Sequence, residues 1–269
     1  MVLALLIGAA VAAAVPAASD APAGAAGGRR VLTVCADPNN LPFSNRAGEG
    51  FENRIAALLA KKMNADIAYV WWAQRRGYVR NTLNEAKCDI WPGVADGVDL
   101  VSTTRPYYRS SYVFVTRADK PLGGLSFDDP RLKTVKIGVQ MVGNDAMNTP
   151  PAHAIARRGM IDNVRGYMLY GDYAKPNPPA AIIDAVASGD IDVAVVWGPL
   201  AGYFASKSPG LKIEPVRPQS DGAEWPMAFD IAMGVRKGAP AFKAEVETIL
   251  AEEAPAIARI LDDYHVPRG

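Results

Sequence analysis

Residues 31–45 read VLTVCADPNNLPFSN: a short apolar run, then two prolines, three asparagines and an aspartate within nine residues. The run 31–34 has the composition of a buried strand. The loop after it is too stiff and too polar to continue that strand, and it suits Asx-type turns. Strand, elaborate loop, then helix is the grammar of an open α/β sheet, in which loops at the carboxyl ends of strands wall a ligand cleft.

Working outward, the same grammar repeats. Gly50 opens a helix whose Phe51, Ile55, Leu58, Leu59 and Met63 share one face. Residues 67–72 (IAYVWW) are β-rich, residues 77–86 suit a short helix, and 89–94 (DIWPGV) read as a third strand with Pro92 at its exit. Residues 111–116 form a further strand, after which a second β/α series starts. It comprises strand 135–139, helix 144–158 entered through Pro150-Pro151, helix 180–187 and strand 191–197. Residues 229–235 form the last strand, and 240–261 one long helix. Strands separated by helices predict parallel sheets, here in two lobes, each with its own sheet and a cleft between them.

The loops at carboxyl ends supply the candidate cleft residues. They are Asp37, Asn39, Asn40 and Phe43 from the first loop; Trp71, Trp72, Gln74, Arg75 and Tyr78 from the second; Asp96 from the third; and Gln140, Asn144 and Trp197 from the second lobe. Each polar residue has a competing role as turn scaffold or solvated surface. Trp71 and Trp72 alternate on a strand and so face opposite ways.

Bulk properties bound the function. The chain has 269 residues, 49% hydrophobic and 21% charged, which is a globular composition. A formal net charge of +1 argues against a nucleic-acid partner. Residues 1–17 are uncharged and apolar, as in a secretory signal, although no Lys or Arg precedes the run; a membrane anchor is the competing reading. Residues 18–29 read as a flexible linker, and no later segment reads as a span, so the mature form carries no stable membrane span. Cys35 and Cys88 are the two cysteines. An oxidising compartment favours a disulfide between them, while parallel strands leave room for two buried free thiols at opposite sheet ends. His153 and His265 are far apart, no carboxylates have calcium-loop spacing, and no nucleophile–base pattern supports an enzyme.

The order of these pieces resembles the type II periplasmic solute-binding proteins over residues 30–267. Residues 111–115 follow STTRPYYRS (102–110) like that family's outgoing crossover strand, and 229–235 look like the return. The resemblance implies lobe 1 at 30–115 with 229–269 and lobe 2 at 116–228, the two crossover strands lying at the hinge. Four fragments, VCADPNNLPFSN, GEGFENRIAALLA, WWAQRRGYVRNTL and DLVSTTRPYYRSSYVFVTR, are similar to a narrower group. These are the solute-binding-like proteins, MxaJ/XoxJ-like, encoded beside quinoprotein methanol dehydrogenases. The resemblance implies a periplasmic accessory protein whose partner is the PQQ-dependent methanol dehydrogenase, with its c-type cytochrome as a second candidate. It implies no cofactor of the protein's own. Amino-acid receptors of this fold hold the ligand carboxylate with an Arg after the third strand and its ammonium with a lobe-two acid. Residues 93–100 and 197–199 offer neither, so ordinary α-amino acids are not expected to bind tightly.

Overall fold

The computed structural model describes residues 29–141, 148–169 and 173–268. The signal segment 1–17, the linker up to residue 28, and Asn144 lie outside the described residues.

Lobe one begins with β1 (Val31–Ala36), the small β2 (Asn39–Asn40) and β3 (Ser44–Asn45) of the first loop, α1 (Phe51–Lys62), β4 (Asp66–Trp71), α2 (Tyr78–Asn81), β5 (Ile90–Ala95) and β6 (Ser102–Thr103). Then β7 (Tyr108–Arg117) crosses into lobe two, which holds β8 (Ile137–Met141), α3 (Pro150–Arg157), β9 (Val164–Met168), α4 (Ala181–Ser188), β10 (Val193–Trp197), α5 (Gly198–Ala205) and β11 (Leu211–Pro215). The chain returns through β12 (Ala228–Val235) to α6 (Pro240–Glu252) and α7 (Ala254–Asp263).

The two lobe sheets are parallel in their outer parts, β4-β1-β5 and β10-β8-β9. They are not separate, as the alternation pattern suggested, but one hydrogen-bonded path, β4-β1-β5-β12-β7-β10-β8-β9. The join is the antiparallel β7–β12 pair, Tyr108 opposite Ile231 through Ser111 opposite Ala228. The ten-residue β7 is long enough to pair with β12 at its start and with β10 at its end.

Apolar clusters cover both faces of each lobe. Leu32, Val34, Phe51, Ile55, Ile90, Met233, Val246, Ile257 and Leu261 form the lobe-one core under α1, α6 and α7. On the opposite face, Tyr78, Val79, Leu83, Val94 and Val101 pack around the cysteines. Cys35 and Cys88 are disulfide-bonded, with Cα atoms 5.5 Å apart. The Asp89 N–H donates to the Thr33 carbonyl and the Thr33 N–H to the Asp89 carboxylate, so the chain enters β5 beside the middle of β1. That entry removes the opposite-ends geometry that free thiols required.

Pro92 sits inside β5, not at its exit. The register with β12 slips there: between the pairs Trp91–Gly234 and Val94–Ala232, two residues of β5, Pro92 and Gly93, face Met233 alone. The bulge absorbs Pro92 and Gly93, so no ladder bond is lost to the proline. Gly93 takes φ +73, open to glycine at little cost. The long terminal helix is broken at Glu253, because Pro255 lacks the N–H and its ring excludes the carbonyl four residues back.

Two pieces of chain tie the lobes together besides the crossover strands. In the first loop, Leu41 is buried in the lobe-two cluster of Val113, Leu169, Ile182 and Ile183, and Asn39 Nδ2 donates to the Lys175 carbonyl at 2.9 Å. At the far end, the tail after α7 lies on α5. Ser110 Oγ donates to the Pro267 carbonyl at 2.6 Å, Tyr264 stacks on Tyr203, and Gly202 leaves the space that the His265 carbonyl fills.

Candidate functional site

The first loop is held by its own polar residues. Asp37 is buried, and its two oxygens accept the N–H groups of Asn39 (2.9 Å) and Gln74 (2.8 Å). Burial pushes its carboxyl up, and those N–H donors and Arg75 pull it back. Asn40 Nδ2 donates to Gln74 Oε1 at 3.0 Å, and Ser44 Oγ donates to the Asp37 carbonyl. Asp37, Asn40 and Gln74 therefore join the loops after β1 and β4 into one wall. Phe43 turns away from that wall onto Phe51, ring centroids 5.3 Å apart.

The opposite wall comes from lobe two. Tyr173 is half exposed, and Asp37, Arg75 and Arg46 act on it across the gap. Its hydroxyl is pushed up to about 12, first by burial and then by Asp37. Gln140 is buried at the end of β8, where its backbone carbonyl accepts the Thr149 hydroxyl at 2.9 Å. Trp197 lies at the hinge, between Tyr112 (5.2 Å) and Phe229 (5.9 Å).

The remaining candidates are dispersed. Trp71 stacks on Tyr69 at 4.6 Å with the Arg46 guanidinium over it, while Trp72 is 40% exposed beside Lys87. Asp96 is exposed and accepts from the Thr103 hydroxyl and the Gly97 N–H. Tyr78 is buried against Trp91, ring centroids 5.3 Å apart.

Sequence reasoning missed Glu52. It is buried as the second residue of α1, and burial, with Asp37 as second cause, pushes its carboxyl up to about 8. The signal was available: Glu52 precedes Ala56 by four residues and Ile55 by three, on the apolar face of α1. Tyr107 and Tyr173 were missed as well. Among the described residues, no group of three or more His, Cys, Asp or Glu side chains could hold a metal ion, and no helix is long and apolar enough to cross a membrane.

Two β/α lobes, joined by two crossover strands and facing each other across a cleft, define a type II solute-binding fold. No protein-family model matches the chain. Protein MoxJ of Methylorubrum extorquens AM1 is 38% identical over 248 residues, covering 88% of this chain and 81% of that protein. The crystal structure of the periplasmic binding protein XoxJ from Methylobacterium extorquens AM1 superposes with a TM-score of 0.71 at 34% identity, covering 88% of this chain and 99% of that one. MxaJ from Methlophaga aminisulfidivorans MPT gives 0.74 at 26% identity, covering 88% and 100%. The chain belongs to the MoxJ/MxaJ/XoxJ family of solute-binding-like proteins.

Proposed function

We propose that this protein is a periplasmic, non-enzymatic accessory or maturation factor for a PQQ-dependent methanol dehydrogenase. It grips a segment of the dehydrogenase in the interlobe cleft. Membership of the MoxJ family carries the reading. The chemistry of the cleft supports it: residues 93–100 hold no Arg for a carboxylate, and after β10 the chain runs from Trp197 directly into α5 without an acid for an ammonium. The binding walls are the loops after β1 and β4 in lobe one (30–115 with 229–269), and Gln140, Trp197 and the 173–175 segment in lobe two (116–228).

The test is size-exclusion co-elution of the mature protein with the methanol dehydrogenase of the same cell, in apo and cofactor-loaded forms. Co-elution with the apo form alone is expected. Replacing Arg75 and Tyr173 together by Ala, both on the rim, should weaken association by about tenfold or more. If wild-type protein co-elutes with neither form and is instead stabilised by a small-molecule extract, an importer's solute receptor replaces this reading.

A further inference from the structure

Glu52 occupies a notch that the fold has built for it. A Cβ on Gly93 would lie 2.0 Å from Glu52 Oε1, so the missing side chain in the β5 bulge is the space the carboxyl fills. Charged and titratable groups face it from each neighbouring element: Asp37 from the first loop, Tyr78 from α2, and Tyr107 and Tyr108 at the entry to β7. Tyr78 is 4% exposed and its hydroxyl is buried without a hydrogen-bond partner, while the buried Tyr107 hydroxyl faces the Gly93 N–H and keeps a lone pair to accept a second donor. Trp91, Gly93 and Tyr107, which border the notch, are partly exposed.

The pocket thus holds two acids, two phenol oxygens able to accept, and aromatic faces from Tyr78 and Trp91. None of the groups that act on Glu52 is positively charged. An anion would be repelled by Asp37. A neutral alcohol would leave Glu52 protonated beside Asp37, with no gain from the second acid. A compact cation answers both, because it pairs with the carboxyl and is attracted to the rings.

We infer that this notch binds a primary alkylammonium group, from a lysine side chain or a free amine, with Glu52 as its counter-ion and Tyr78 and Tyr107 as acceptors. The inference rests on the cleft being a binding surface but not on the identity of the partner. Docking exchanges one charge for another: the neutral Glu52 carboxyl gives its proton to solvent, and the ammonium N–H groups donate to the carboxylate.

The experiment is calorimetry on the mature chain with n-butylammonium, against n-butanol and butyrate, in phosphate and in Tris at pH 7. Binding of n-butylammonium alone is expected, with release of close to one proton that disappears at pH 9. Glu52→Gln should weaken it about tenfold and abolish proton release; Tyr107→Phe should weaken it about threefold while the fold is kept. A second arm compares acetyl-Gly-Lys-Gly-amide with its norleucine counterpart. Tighter binding of the lysine peptide than of n-butylammonium assigns the site to a partner's lysine, and the reverse order assigns it to a free amine. The inference is overturned if n-butanol binds as well as n-butylammonium, if Glu52→Gln binds unchanged, or if no ammonium probe produces heat. Ammonium binding by a protein that does not co-elute with the dehydrogenase would sink the accessory reading alone.

Discussion

Glu52 has a consequence for stability apart from any ligand. Its ordinary value is 4.5 and its folded value about 8. Between those limits the folded protein holds a proton that the unfolded chain has released. An acid raised in this way stabilises the fold fully at low pH, and that stability is lost as pH rises through the folded value. Urea unfolding from pH 5 to pH 9 should therefore show stability falling, with a slope of up to about 1.4 kcal/mol per pH unit near pH 6–7. Glu52→Gln should flatten that fall, and a flat wild-type profile would contradict the burial of the carboxyl. At this scale the sequence was only partly legible. The cysteine pair was visible as a candidate disulfide. Asp37 was visible as a loop residue, but its grip on Gln74 was not, since that bond joins loops 37 residues apart. Glu52 was passed over because a helix start tolerates an acid at its surface, although its spacing to Ile55 and Ala56 set it on the apolar face of α1 that meets the Gly93 notch.

At the scale of elements, what the sequence disclosed follows how deeply each element is buried. Strands β1, β8, β10 and β12 are apolar runs and were read at nearly the observed bounds. Strands β9 and β11 escaped because both are five residues long and bury little, although LKIEP alternates apolar with polar residues. Helix α5 was hidden by its Gly198-Pro199 opening, which reads as a turn until Pro199 is seen within its first turn. The first loop was read as a cleft wall, and its seat on lobe two depends on Leu41, a single leucine between Asn40 and Pro42. Leu41→Ala should cost about 2–5 kcal/mol as a buried leucine deletion. It should also broaden the distance distribution between spin labels placed on α1 and α4. A destabilised variant with an unchanged distribution would mean that the tail on α5 alone fixes the lobes.

At the scale of the molecule, two-lobed topology was legible because the two β/α series are separated by an apolar strand with a partner far along the chain. Their fusion into one sheet was not, since pairing of β7 with β12 joins residues separated by more than a hundred positions. That long-range pair divides the order of assembly. The sheet of lobe two is drawn from one continuous stretch, β7 to β11. Lobe one lacks its β12 strand and the α6 and α7 side chains of its core until the end of the chain is present. A chain emerging amino-terminus first, or crossing a membrane unfolded, therefore completes its middle before its beginning. Local contacts form sooner than distant ones because loop closure costs entropy. Pulse-labelled hydrogen exchange during refolding should protect β8 and β10 ahead of β1 and β5, and simultaneous protection would refute this order. During that interval β5 stands with its β12 edge unpaired and the apolar face beneath α1 uncovered. The nascent protein is thus most prone to aggregation, and most in need of a chaperone, in the lobe that was synthesised first.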